Sequence, residues 1–339
     1  MSHSNTSLNL FTSCMQAYYQ QQVLHSKPCQ PPSPHLTFGA MAHEVLYRAG
    51  KLRDDSYDGV IDSDEYRMVI PSDVLYPELR QEFQIKSWER YFVPIIKRIA
   101  KYESEICQSC KNYTIEREVK LQLLPEEVKA IFHKTISQPL VGIIDFLVLG
   151  EDYAIILDYK FSTKRKTQDD FDMNSQLYLY AMLVSVLFHI SMRNIQIGYI
   201  DIPKVSFDDP VLLSNGTLSR AKSQNVLQDC YKQAVIDLHG VDEKYNCDPG
   251  GYYYDTWCNL ALNDVAYLTM QYIDESICKS VVNDLLDTAS LIDMLKDRHV
   301  TFPRKHDSYS CPNCAYLDSC KPWLFEKECE KRHECADCL

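Results

Sequence analysis

Asp145, Asp158 and Lys160 stand where apolar strand residues would be expected. Asp145 closes the tetrapeptide Gly142-Ile-Ile-Asp145, and after twelve intervening residues Ile155-Ile156-Leu157 runs into Asp158-Tyr159-Lys160. Alternate side chains of a strand share a face, so Asp158 and Lys160 project together. A turn at Gly150-Glu151-Asp152 folds the Asp145 strand back alongside them. Two carboxylates beside an ammonium make a divalent-cation site of the kind phosphodiester cleavage needs. In-line attack builds negative charge on the phosphoryl and leaving oxygens. Mg2+ or Mn2+ held by carboxylates neutralises that charge and makes bound water a better nucleophile. A fixed lysine stabilises the same charge or orients the attacking water. The alternative, a hairpin edge with stray charges, is disfavoured because an unpaired buried carboxylate is costly.

The surrounding pattern supplies elements to position these groups. Helical periodicity runs over Leu8 to Leu24, and Pro28 to Pro34 breaks it. A second helix is expected from Thr37 or Phe38 to Ala49, stopping at Gly50. It contains Gly39-Ala-Met-Ala-His43-Glu-Val-Leu46. Residues 51–77 read as acidic helix and loop, and Gln81 to Tyr102 is helical again. From Tyr113 to Leu121 the sequence alternates, with Ile115, Val119 and Leu121 on one face and Glu116 and Glu118 on the other, which predicts a strand. The strands of Asp145 and Asp158 follow, then a helix over about Met173 to Phe188 and a strand from Ile195. The order is helix, three strands, helix, strand. Residues 203–300 form a mostly helical annex opening with a turn at Ser214-Asn-Gly-Thr, and the segment from about Thr301 is cysteine-rich. The expected division is a helical region 1–112 holding Cys14 and His43, a core 113–202, the annex 203–300 and a cysteine-rich end 301–339.

With 339 residues the chain is long enough for two domains or one elaborated domain. No apolar run reaches membrane-spanning length. The start, Met1-Ser-His-Ser-Asn-Thr, lacks a signal-peptide pattern, so a cytoplasmic protein with no membrane partner is expected. A net charge of −12 argues against non-specific coating of nucleic acid. Lys164, Arg165 and Lys166, directly after the Asp158–Lys160 motif, still provide a local basic track for phosphates.

In this order the motifs resemble the RecB-like branch of the PD-(D/E)xK nuclease superfamily. The likeness is greatest to iron–sulfur members such as the AddB nuclease domain, CRISPR-associated RecB-like exonucleases and phage recombination exonucleases. It spans nearly the whole chain and is least specific over 50–110 and 203–300. The family's Gly-x-x-x-His-x-x-Leu falls on Gly39, His43 and Leu46. Its Gly-x-x-Asp falls on Gly142 and Asp145, its Asp-x-Lys on Asp158 and Lys160, and its Gln-x-x-x-Tyr on Gln176 and Tyr180, one helical turn apart. The resemblance implies an α/β fold with an α-β-β-β-α-β core, a mixed sheet, helical insertions and an iron–sulfur-stapled C-terminus. It also implies that His43, Asp145, Asp158 and the Tyr159 carbonyl bind the metal, that Lys160 is catalytic, and that Gln176 and Tyr180 support the site or the DNA. Some members add a glutamate from the first core strand; here Glu116 and Glu118 both remain open.

Fourteen cysteines without an export signal read as metal ligands or buried thiols before disulfides. Cys311-x2-Cys314-x5-Cys320 offers three thiolates, so a fourth ligand must come from elsewhere. The resemblance supplies Cys14, ahead of Tyr18 and Tyr19, and a [4Fe-4S] cluster, with a zinc knuckle on the same ligands as the alternative. Cys107-x2-Cys110 and Cys335-x2-Cys338 together would suit a structural zinc, with Cys329 and His333 near the second pair. Cys29, Cys230, Cys247, Cys258 and Cys278 read as ordinary buried thiols. The expected activity is a Mg2+- or Mn2+-dependent deoxyribonuclease, an exonuclease on single-stranded DNA or ends in recombination, repair or phage DNA processing. A CRISPR-adaptation nuclease trimming spacer precursors and a non-catalytic DNA-binding or assembly subunit are the other readings. Expected partners are DNA and a recombination, helicase or CRISPR-adaptation protein.

Overall fold

The computed structural model describes residues 2–29, 31–56, 63–162, 166–172, 174–203, 210–220, 226–298, 302–303, 311 and 314–320. Its centre is a mixed sheet. The strands are β1 (His3–Ser4), β2 (Thr114–Leu123), β3 (Leu140–Leu149), β4 (Ala154–Ser162), β5 (Ile195–Pro203) and β6 (Tyr267–Tyr272). Their order is β1-β3-β4-β5-β6, with β2 paired to the other edge of β3. β4 and β5 run parallel, and β2–β3, β3–β4 and β5–β6 run antiparallel. β1 and β6 join this sheet from outside residues 113–202.

Two helical layers cover the sheet. On one face lies α9 (Ser175–Phe188), capped at its start by the Asn174 side chain, which accepts from the Leu177 amide at 3.0 Å. Residues Leu177 to Val184 of α9 are all buried, because α12 (Glu275–Asp297) covers the side turned away from the sheet. A helix apolar all round needs such cover on every side. On the other face lie α3 (Pro34–Asp55) and α6 (Trp88–Gln108). The α6 stripe of Trp88, Phe92, Ile95, Ile96, Ile99 and Ile106 packs with Phe38, Ala42, Val45, Leu46 and Ala49 of α3.

Three sequence expectations change here. The Leu8–Leu24 helix is α1 (Asn5–Ser13) and α2 (Met15–Tyr18) followed by a π-helical turn, split at Cys14, whose backbone is extended. α3 begins at Pro34, with Ser33 as its cap, and passes through Gly50 instead of stopping there. A Cβ on Gly50 would lie 2.6 Å from the Arg117 guanidinium carbon, so this glycine serves packing and not termination. In β2 the alternation fails: Ile115 packs towards α3 and α6, whereas Val119 and Leu121 pack towards α9. The strand changes face at Glu118, which sits at φ +46° and interrupts the β2–β3 ladder. Left-handed backbone is uncommon for a residue with a Cβ.

The annex holds α10 (Gln228–His239) and α11 (Tyr254–Asn259) around a small aromatic core with Tyr231 and Tyr253. The turn at Ser214–Thr217 forms, with Gly216 at φ +77° and the Leu213 amide bonded to the Thr217 carbonyl at 2.8 Å. The start of the chain is held in the core. His3 is buried, its amide donates to the Pro139 carbonyl at 2.8 Å, and its Nε2 lies 3.3 Å from Asp293 Oδ2 on α12.

Candidate active site

The ladder between β3 and β4 runs from Leu149–Ala154 to Phe146–Leu157 and stops. The next pair would set Asp145 directly opposite Asp158, and like charges in that position are destabilising. Beyond the stop, the same edge of β3 is taken up by β1 at Leu140 and Val141. The sheet therefore forks at the two carboxylates, while β2–β3 and β4–β5 continue along the arms. The Tyr159 amide finds its acceptor in the Asp145 side chain, with Oδ2 at 2.8 Å.

Across the fork the other motif residues meet. From α3, His43 Nδ1 lies 3.3 Å from Asp145 Oδ1. Burial lowers the His43 pKa, but the Asp145 hydrogen bond and charge, with Asp158 behind them, outweigh it and raise the net value. Lys160 Nζ lies 2.5 Å from Asp158 Oδ2 and donates to Gln176 Oε1 at 2.9 Å. Gln176 Nε2 in turn donates to Tyr180 Oη at 2.6 Å. The ammonium, a donor only, fixes the Gln176 oxygen on the lysine side, and the amide nitrogen is left for Tyr180. Gly142 makes room for the chain: a Cβ there would meet the Tyr180 ring at 2.8 Å and Leu183 at 2.9 Å.

Asp158 is 2 % exposed, and its carboxyl is pushed up to about 6. Burial is the main cause; Lys160 opposes it and Asp145 reinforces it. The Lys160 ammonium is the one charge paired with the buried Asp158 Oδ2 among the described contacts. The Asp145 and Asp158 carboxylates are donors that suit a hard divalent cation, and the His43 imidazole adds a softer nitrogen donor. Among the described residues no three His, Cys, Asp or Glu side chains are gathered as a metal site.

A buried ionic network supports the fork from behind. Tyr159 Oη donates to Glu103 Oε1 at 2.6 Å, and Arg117 donates to both Glu103 oxygens at 3.1 and 2.7 Å. Arg53 also pairs with Glu103, and Arg117 reaches Asp54 at 2.7 Å. Arg53 and Asp54 lie on α3, Glu103 on α6, Arg117 on β2 and Tyr159 on β4. The network thus ties the helix of His43 to the strand of Asp158 and Lys160. None of these ionic groups was singled out from sequence. The available signal was Glu103 itself, a charge in register with the buried Ile96, Ile99 and Ile106.

The charges of Asp145 and Glu44, after burial, push the Glu118 carboxyl up, so Glu118 shares the field of the site. Of the basic track, Lys166 donates its amide to Asp201 Oδ2 at 3.2 Å, while Lys164 and Arg165 lie outside the described residues. Burial pushes the Cys314 thiol up, as do its neighbours Cys14, Cys311 and Cys29. Cys320 ends α13 (Leu317–Cys320). Cys107 and Cys110 close α6, with the Cys110 amide bonded to the Cys107 carbonyl at 3.0 Å; Cys329, His333, Cys335 and Cys338 lie outside the described residues. Cys247 and Cys278 are buried as expected. Cys29 and Cys258 are exposed and Cys230 half-buried, which corrects their reading as buried thiols. Cys29 lies on the link before α3, its amide and Sγ both directed at the Ala315 carbonyl at 2.7 and 2.9 Å. Cys258 is on the solvent side of the short α11.

The model of the PD-(D/E)XK nuclease superfamily matches residues 2–321. Among solved structures, a protein of Eubacterium rectale named as a candidate exonuclease is similar over 92 % of this chain and 87 % of that chain, at 9 % identity and a TM-score of 0.44. No curated protein matches the sequence. No helix among the described residues is long and apolar enough to cross a membrane.

Proposed function

Because this chain belongs to the PD-(D/E)XK nuclease superfamily, we propose that it hydrolyses DNA phosphodiester bonds as a Mg2+- or Mn2+-dependent exonuclease on single strands or ends. The observation that carries the reading is the fork, where β3 and β4 part at Asp145 and Asp158 and Lys160 stands beside them on β4. Asp145, Asp158 and His43 would hold the cation, with the Tyr159 carbonyl beside them and Glu118 in the same field. A bound divalent cation supplies charge neutralisation at the phosphoryl oxygens and a more acidic water. Lys160, anchored by Gln176, holds its ammonium where charge develops. Gln176 and Tyr180 are positioning residues for that ammonium. Tyr159 positions Asp145 through its amide and is itself held through Glu103.

The test is digestion of 5′- and 3′-labelled single- and double-stranded DNA with Mg2+, Mn2+ or chelator. Lys160→Ala and Asp158→Ala should each abolish cleavage while the circular-dichroism spectrum is kept. Wild-type rates in either variant would overturn the site. A non-catalytic DNA-binding role predicts retention of DNA with no cleavage under any metal.

We also propose a [4Fe-4S] cluster on Cys14, Cys311, Cys314 and Cys320. What supports it is that Cys14, together with Cys311 and Cys29, acts on the Cys314 thiol, so an early and a late part of the chain lie near one another there. Iron and sulfide quantitation of anaerobically prepared protein decides between this and zinc. The cellular setting we propose is recombination, repair or phage DNA processing beside a helicase, annealing or CRISPR-adaptation protein, to be identified by co-purification.

A further inference from the structure

Beside His43 runs an open groove of about 680 Å³ between α3 and residues 68–76. Leu36 and Ala40 line it, two turns and one turn before His43 on the same helix flank. Opposite them stand Met68, Ile70 and Tyr76. The apolar side chains are open to solvent: Leu36 is 66 % exposed, Met68 72 % and Tyr76 42 %. A contiguous apolar patch of this kind marks a binding surface on a soluble protein. Tyr76 is held at φ +55°, a backbone conformation rarely adopted by an aromatic residue, just ahead of Pro77.

The groove's lining carries one acid and one base and no net positive charge. Glu44 and Arg48, one turn apart, pair at 2.5 Å. A path for phosphates would need cations left available to them; this groove offers apolar surface and an aromatic ring. Its inner end lies next to the candidate active site, because Glu44 lines it and the preceding residue, His43, lies 3.3 Å from Asp145. A strand whose phosphate lies at the fork therefore meets, on the His43 side, a surface suited to base faces and unsuited to backbone. In a duplex those faces are stacked away.

We infer that this groove receives unpaired nucleobases of the strand whose phosphate occupies the fork, so that the protein selects single-stranded over double-stranded substrate here. This rests on the nuclease reading above and names the substrate form for that site. Base–aromatic and base–apolar contacts of this type are sequence-tolerant, so the selection is for unpaired bases and not for a base identity.

The test measures fluorescence anisotropy of the full chain in chelator with a thymidine strand, an abasic strand of equal length and charge, and a duplex of that length. The thymidine strand should bind about tenfold tighter than the abasic one, the scale of one or two stacked bases. Met68→Gln and Tyr76→Ala should each erase that preference while leaving abasic-strand binding and the urea midpoint unchanged. Equal binding of the two strands by the wild-type protein, or an undiminished preference in both variants, would overturn the inference and assign the groove to another occupant, such as a partner helix. If the protein neither binds nor cuts any nucleic acid, the nuclease reading falls with it. If it cuts DNA but ignores the missing bases, only the groove inference falls.

Discussion

Two glycines stand in the motifs, Gly39 and Gly142, and the structure predicts opposite outcomes when a methyl group is added to each. At Gly142 a Cβ would meet Tyr180 Cδ1 at 2.8 Å, Tyr180 Cε1 at 2.9 Å and Leu183 Cδ1 at 2.9 Å, where ordinary contact begins at 3.4 Å. The Tyr180 ring would have to withdraw by 0.6 Å, the difference of those two distances. It has nowhere to go, since Tyr180 is 5 % and Leu183 0 % exposed on a helix buried on every side. Overpacking of this kind costs about 1–3 kcal/mol. The displaced ring carries the Oη that fixes Gln176, and Gln176 fixes Lys160. Since misplacement by an ångström costs on the order of a hundredfold in rate, Gly142→Ala should lower cleavage about tenfold or more. At Gly39 no atom lies within 4 Å of the added carbon, in the middle of α3. Gly39→Ala should stabilise the protein by about 0.5–1 kcal/mol through the lost freedom of the unfolded chain. Urea denaturation of both variants, with cleavage of a labelled strand in parallel, reads the pair. A Gly142→Ala protein with wild-type midpoint and rate would refute the buttress between α9 and β3.

The ionic network makes two further predictions. Glu103→Gln leaves Arg53 and Arg117 buried with less opposing charge, and should destabilise by about 3–5 kcal/mol in urea unfolding. Burial raises the Glu103 pKa, but Arg53 and then Arg117 hold it below its ordinary 4.5. A depressed folded pKa stabilises above the unfolded value, and that stability is lost as pH falls through the folded one. The wild-type midpoint should therefore drop as pH falls below about 4.5, with a slope that Glu103→Gln reduces; parallel curves would refute the pairing. Asp158 has the opposite sign: its folded value near 6 lies above the ordinary 3.8, so ionised Asp158 weakens the fold above that pH. In chelator near neutral pH, Asp158→Asn should raise the urea midpoint while cleavage, restored with metal, stays absent. A lowered midpoint would count against that burial cost.

The β3–β4 hairpin and α9 were legible because each is local: an apolar run ending in charge, a turn of Gly150-Glu151-Asp152, a buried helix between. What escaped was decided across long distances. Gly50 has the residue type of a helix stop, yet the segment stays helical because Arg117, sixty-seven positions later by the numbering, crosses beneath it. The face change of β2 was hidden for a similar reason. Alternation assumes a regular backbone, and Glu118 gives up that regularity where the fork begins. α7 (Pro125–Phe132) fills the β2–β3 connection although no sequence expectation was placed there. For the site, motif order located His43, Asp145, Asp158, Lys160, Gln176 and Tyr180, and the fold brings these six together. Glu103, Arg53 and Arg117 carry no motif; only their pairing in three dimensions makes them tolerable in the interior.

The clasp between His3 and Asp293 has a consequence for how this protein is made. β1 pairs with β3 across more than a hundred intervening residues, and its histidine waits for a partner on α12. At about 5–20 residues per second, the ribosome takes on the order of 15–60 seconds to travel from one to the other. In the last third of that interval α9 has been made but its apolar side lacks the helix that covers it, and throughout it His3 has no partner on α12. The core should therefore assemble only once α12 has been made, and a nascent chain stalled before Asp293 would present a sticky, protease-sensitive sheet. Folding competence then appears abruptly with the synthesis of α12.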